Sequence, residues 1–294
     1  MPKAITSLTG YIIKITTLSN QNPGTQLLYR GHSSSDYSIS PSIYRNSNLS
    51  SAEHLMMRQL LAQHPKDFSG DIGLFDQLVR AQHYGLPTRL LDVSLNPLVA
   101  LYFAASSRQK SRGQVIVFKP AIGKQKYFDS DVVSCLSALA MLSGDEKHKL
   151  RDQIIDALLK AEENGMGKLS NAITGRILKE FNSTYEIRKL IQFVRHEKPN
   201  FRRIIQPIDL VKPVSVTPRK HHNRIIAQNG AFIIFGVGKR RTEENMDHIS
   251  YEVIDIAEDS KKKFISDLAS VGISETSLFP DIEKSALAIK TRYN

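Results

Sequence analysis

The order of elements along the chain predicts an α+β fold. Three observations carry that expectation. Strand-like runs at residues 26–30 and 114–119 are separated by helical segments. Residues 131–197 read as helix almost throughout. Strand signals then return at residues 207–216, 231–235 and 248–256, before a helical tail. Strands and helices that come in runs, without regular alternation, point to α+β architecture. Hydrophobic residues make up 41% of the 294, enough for a full core, which excludes a disordered chain. No run approaches the roughly 18 apolar residues of a membrane span, so no membrane partner is expected. The opening Met1-Pro2-Lys3-Ala4-Ile5-Thr6 lacks a signal peptide's apolar core. The lone Cys135 excludes an intramolecular disulfide and a cysteine-based zinc site. The expected compartment is the cytoplasm, and no metal is expected.

Each element has its own local reason. Residues 26–30 form a short apolar run that ends at Arg30. A helix starts at Ser51, carries Leu55, Leu60 and Leu61 near helical spacing, and ends at Pro65. Residues 72–84 place Leu74, Phe75, Leu78 and Val79 on one helical face, and Gly85-Leu86-Pro87 stops them. Asn96-Pro97 opens a helix with proline at a tolerated early position. Its residues 98–104 are apolar nearly all round, which implies burial. Gly113 and Pro120 bound the strand at 114–119. Helices are expected at residues 132–141, 146–161, 168–181 and 183–196, the last with a capping box from Ser183 to Glu186. The tail, residues 260–293, reads as helix broken at Phe279-Pro280. The whole chain reads as one domain, residues 1–294, with residues 131–197 a helical insertion or subdomain.

Charge is the first unusual quantity. Forty Lys and Arg against 29 Asp and Glu give +11, which favours a polyanionic partner. The excess is dispersed. Its densest clusters are Lys239-Arg240-Arg241, Lys261-Lys262-Lys263 and Arg219-Lys220-His221-His222.

Three stretches concentrate chemistry. The first runs from Arg80 to Asp92 and holds Gln82, His83, Tyr84, Thr88 and Arg89 around two helix breakers. Arg89 and Asp92 read either as a buried pair fixing the turn or as part of a pocket. His83 reads as a hydrogen-bonded structural histidine or as a ligand to ribose or phosphate. The second is Tyr29-Arg30-Gly31, where a strand-end arginine can present a planar fork to phosphate and the missing side chain of Gly31 lets a ligand approach. The alternative is an exposed strand-end arginine beside a tight turn. The third is Arg224 to Phe235, in which Gln228-Asn229-Gly230 reads as a turn before a buried strand. Cys135 reads as a packing residue. There is no Gly-x-Gly-x-x-Gly and no Walker loop, no Gly-x-Ser-x-Gly elbow, and Glu162-Glu163 and Glu243-Glu244 look solvated.

These three features, in this order, resemble the FRG domain family, named for its Phe/Tyr-Arg-Gly motif. The motif here is Tyr29-Arg30-Gly31. The family's middle signature is matched from Ala81 to Asp92 and continued from Asn96 to Ala104. Arg224 to Phe232 and Leu278-Phe279-Pro280-Asp281 also resemble the family. A weaker resemblance is to arginine-type ADP-ribosyltransferases, whose strand carries Tyr-Arg-Gly with the arginine gripping the phosphates of NAD. The resemblance to the FRG family implies a toxin or phage-defence role, and the likeness to the transferases implies a split mixed sheet flanked by helices. It also implies NAD as cofactor, bound by Tyr29, Arg30, Gly31, Gln82, Tyr84, Thr88 and Asp92. Arg30, His83, Arg89 and Gln228 would carry the activity, an ADP-ribosyl transfer or NAD hydrolysis, with Asp92 orienting Arg89. The partners would be a nucleotide-like small molecule and an acceptor. One departure stands out. Arg224 falls near the position of that branch's glutamate, and an arginine opposes a cationic ribosyl centre. That leaves a different chemistry in the same pocket, a carboxylate from elsewhere such as Glu252, or a binder without transfer activity. The alternatives are a non-catalytic nucleic-acid-binding or ligand-sensing module using the basic surface, or a protein that docks a partner on residues 131–197.

Overall fold

The structure is a computed structural model that describes residues 4–163, 173–238, 249–280 and Lys290. Its strands are β1 (Leu28–His32), β2 (Leu90–Ser94), β3 (Gly113–Pro120), β4 (Lys126–Tyr127), β5 (Val214–Thr217), β6 (Gly230–Ile234) and β7 (Ile249–Ile256). They form one mixed sheet in the order β4-β5-β6-β2-β1-β3-β7. Neighbours are antiparallel except the parallel β4–β5 pair. The helices are α1 (Leu8–Gln21), α2 (Ser47–Gln63), α3 (Leu74–His83), α4 (Pro97–Ala105), α5 (Asp131–Ala138), α6 (Gly144–Glu163), α7 (Gly175–Asn182), α8 (Tyr185–Glu197), α9 (Asn223–Ala227), α10 (Lys261–Ser270) and α11 (Glu275–Leu278). The mixed α+β class expected from the sequence is what the chain adopts.

Register explains how the sheet is covered. Gly230, Ser94, Tyr29, Val117 and Glu252 form one row across five strands. Side chains alternate along a strand, so Leu90, Asp92, Phe232, Ile234, Gly31 and Val115 share that row's face. Two groups of helices cover it. On one half, α3, α5, α6, α7 and α8 share an apolar core with Leu90, Val216, Phe232 and Ile234. On the other, α1, α4 and α10 pack over Tyr29, Val115, Val117 and Ile254. The opposite face buries Leu28, Leu91, Val93, Ile116, Phe118 and Ile233 around Ile39. The described residues within 131–197 thus contribute their apolar side to the same core as the sheet.

Helix α4 lies unusually close to the strands. A Cβ placed on Gly31 would sit 2.0 Å from the Ala100 carbonyl oxygen, and one on Gly113 would sit 2.5 Å from that of Ala104. The glycines make room for a helix backbone, which fits a helix that is apolar all round. Lys261, at the start of α10, anchors the far end of α4. It is fully buried, and its Nζ donates to the carbonyl oxygens of Ser33 (2.7 Å), Ser107 (3.1 Å) and Arg108 (3.0 Å). Only Lys262 and Lys263 of that basic cluster are surface residues. Lys261→Met removes a charged donor and strands three carbonyls. A loss of about 2–4 kcal/mol is expected in urea denaturation; a change under about 0.5 kcal/mol would show that the contacts carry no stability.

Several sequence expectations need correction. Helix α1 was not anticipated, because Ile12, Ile13, Ile15, Thr16 and Thr17 are β-branched and weak helix formers. It forms because Tyr11, Ile15 and Leu18 are buried on one side and Ser7 caps Gly10 N–H. Strand β2 is central, with Leu90, Leu91, Val93 and Ser94 buried and Asp92 alone exposed, so it shows no alternation. Residues 207–216 are not one strand. Pro207–Leu210 form a 3-10 turn, Pro213 interrupts, and β5 starts at Val214. Thr184 occupies the N-cap position of α8 without a side-chain cap bond, its hydroxyl donating to the Phe181 carbonyl (2.9 Å). Ser183 Oγ donates instead to the Glu180 carbonyl (2.7 Å), and Glu186 accepts from Gln153 (2.7 Å), so no capping box forms. Within residues 168–181, helix begins only at Gly175, and residues 168–172 lie outside the described residues. The tail helix is two pieces, α10 and α11. Lys239-Arg240-Arg241, Glu243-Glu244 and Asp281 also lie outside the described residues.

Candidate functional site

The two helix groups do not meet over the middle of the sheet. Between them runs a cleft of two lobes, with open volumes of about 620 and 550 Å³, that share Asp92, Val93, Arg224 and Gln228. Its floor is β1, β2 and the start of β6. One wall is α4, with Val99, Ala100 and Phe103. The other is the end of α3, with Val79, Gln82 and His83, together with His222, Arg224 and Ile225 at α9.

Strands β1 and β2 pair only at Tyr29–Ser94. The ladder stops there, and Arg30 fills the gap. Its Nη1 donates to the Asp92 carbonyl oxygen (2.6 Å) and lies 3.8 Å from the Asp92 carboxylate; its Nε donates to His32 Nε2 (3.1 Å). Burial lowers the Arg30 pKa from its ordinary value, Asp92 opposes that, and Arg45 adds to it. The guanidinium is held in place by these bonds and is about one-fifth exposed. Asp92 is 64% exposed and is the one carboxylate among the described residues lining the cleft.

Three further groups complete the walls. Arg224 lies over the Phe279 ring at 5.0 Å, and Phe279 meets Phe103 edge-on at 6.0 Å. Gln228 donates its amide to the Leu278 carbonyl (3.1 Å), so the segment around α11 is tied to the cleft through Gln228 and Arg224. His222 stacks on His83 at 5.5 Å. Burial, then the nearby His221, Arg80 and His83, pull its pKa down to about 4. It is neutral at pH 7, and its buried Nε2 has no hydrogen-bond partner among the described residues.

Of the residues singled out from the sequence, Tyr29, Arg30, Gly31, Gln82, His83, Asp92 and Gln228 meet at this cleft. Thr88, Arg89 and Tyr84 do not line it. Thr88 is buried; its hydroxyl donates to Gln82 Oε1 and accepts from Leu90 N–H (3.2 Å), tying α3 to β2. Tyr84 is largely exposed on the edge of the His83 ring. Arg89 is not oriented by Asp92. Three residues apart on an extended run, the two side chains take opposite faces. Arg89 is buried against Glu53, with Nε at 3.0 Å, and Nη1 donates to the Phe235 carbonyl (3.0 Å). Gly31 lines the cleft, but the space its side chain would take belongs to α4. Glu252 is two strands from Tyr29 and paired with Lys14 (2.7 Å) and Lys119 (3.0 Å), away from the cleft. Their hydrogen bonds and charge hold its carboxyl below the usual range against burial. Arg219 pairs with Asp76 (2.9 Å). Burial pushes the Cys135 thiol up, so it packs. Among the described residues, no three His, Cys, Asp or Glu side chains form a metal-binding group, and no helix is long and apolar enough to cross a membrane. His222, Phe103 and Phe279 were missed as site residues: nothing local marks an aromatic or a second histidine as facing a cleft assembled from distant segments.

The architecture is thus a mixed sheet with a charged cleft where its helical cover parts. Residues 25–113 match the family model of the FRG domain, and the chain carries an FRG domain there. That segment supplies the cleft floor, the α3 end and the α4 wall. The α9 wall, with His222, Arg224 and Gln228, lies beyond it. No curated protein and no solved structure matches the chain.

Proposed function

We propose that the cleft binds a nucleotide, with NAD the expected ligand, and that the protein is an ADP-ribosyltransferase-like enzyme acting as a toxin or in phage defence. The observation that carries the reading is convergence: three motifs far apart in sequence meet at one cleft around a fixed arginine. The chain's groups fit the ligand. Arg30 has its plane set by His32 and the Asp92 carbonyl, which preorganises it for a phosphate. The Nε2 of His222 offers a buried polar atom to a ring or ribose. Phe103 and the Arg224–Phe279 stack supply flat surfaces. Asp92, not Glu252, is the carboxylate in reach. It places negative charge beside the ribose as the C1′–N bond to nicotinamide breaks, the electron pair leaving with nicotinamide. It can also take the proton that the attacking acceptor releases on bonding to C1′.

The test is nicotinamide release by Asp92→Asn. The substitution keeps the shape and removes the charge. Release is expected to fall at least about 100-fold while NAD binding persists. Wild-type release from a folded Asp92→Asn protein would exclude Asp92 from the chemistry.

A further inference from the structure

On the other side of Arg89 lies a second cavity, with an open volume of about 970 Å³, lined by Tyr44, the α2 serines Ser47, Ser50 and Ser51, and Lys147, His148 and Arg151 of α6. Its floor carries an unbalanced charge. Arg89 and Lys147 both pair with Glu53, two cations against one carboxylate, and the three side chains are nine-tenths buried or more. Among the described residues, Glu53 is the acceptor for the Lys147 ammonium (2.6 Å), which leaves two of its three N–H donors unused. Burial lowers the Lys147 pKa even though Glu53 opposes it. A surplus buried cation with spare donors is costly unless an anion meets it.

The surroundings favour an anion. Lys147 and Arg151 sit one turn apart on α6, and Arg151's ion pair is a 3.9 Å contact with the adjacent Asp152. The first turn of α6 carries Asp145 and Glu146, and Glu146 is occupied by Lys189 and the Ser143 N–H. Helices α2 and α6 both reach this cavity near their starts and touch where Gly144 meets Ser51. We infer that this cavity is a second binding site, separate from the cleft, for the phosphate group of a phosphorylated small molecule. Lys147 and Arg151 hold the phosphate charge, and the α2 serines hydrogen-bond its oxygens.

The experiment is calorimetric titration of inorganic phosphate, then adenosine monophosphate, at constant ionic strength. The proteins are wild type, Lys147→Gln, Arg151→Gln and Arg30→Ala. Phosphate affinity is expected to drop at least tenfold in both α6 variants and to survive in Arg30→Ala. The half-exposed Arg151 keeps the test valid if Lys147→Gln fails to fold. No phosphate binding by wild type, affinity unchanged in Arg151→Gln, or affinity lost in Arg30→Ala would each overturn the assignment. The last outcome would move the phosphate to the cleft and leave the cleft reading intact.

Discussion

Glu53→Gln is expected to lose about 3–5 kcal/mol of stability, because it leaves Arg89 and Lys147 buried without their shared counter-charge. The same pair gives a pH signature. Burial alone would raise the Glu53 carboxyl, but Arg89 and Lys147, with their hydrogen bonds, pull it from 4.5 to about 2. A carboxyl whose folded pKa is depressed adds stability that is fully present above its unfolded pKa. That stability is lost as pH falls through the folded value. Glu53 therefore contributes on the order of 3 kcal/mol above about pH 4.5, fading toward pH 2. Urea midpoints for wild type and Glu53→Gln at pH 7, 4.5 and 2.5 read both effects. Wild type should approach the variant as pH falls. Curves that stay parallel, or a variant as stable as wild type at pH 7, would show that the triad does not hold the fold.

Gly31→Ala should cost about 3 kcal/mol, the upper end for forcing atoms into a packed core. Its Cβ would meet the Ala100 carbonyl oxygen at 2.0 Å, Ala104 N at 2.7 Å and Phe103 Cβ at 2.8 Å. Two of these are backbone atoms of α4, which cannot step aside as a side-chain tip does. The substitution must push α4 off β1 and spread the wall that carries Phe103, so ligand affinity falls with stability. A glycine needed only for ligand approach would give a stable Gly31→Ala protein that merely binds poorly. Thermal or urea unfolding of the unliganded protein separates the two, and an unchanged midpoint would contradict the packing account.

What the sequence showed and what it hid follow from physics. Strand β3 and helices α3 and α4 were legible because breakers bound them and their apolar patterns are strong. Strand β2 was hidden because it buries residues on both faces without alternation, leaving Asp92 alone exposed, and α9 because five residues hold too little period to read. At the site, Tyr29-Arg30-Gly31 and the Arg80–Asp92 stretch were visible as dense polar motifs beside breakers. Their partners were not. Arg89 and Asp92 are near in sequence but part to opposite faces. Glu53 reaches Arg89 across 36 positions, with no local feature to announce it. The role of Gly31 also changed, from ligand approach to helix packing, because only the register of α4 on β1 reveals it.

The most direct test of the central claim is calorimetric titration of NAD into wild-type protein and Arg30→Ala. The cleft account predicts saturable binding by wild type, weakened at least about 100-fold (roughly 2.7 kcal/mol) when the phosphate-gripping fork is removed from a protein that still folds. NAD binding of equal strength in a folded Arg30→Ala protein, or none in wild type, would contradict it.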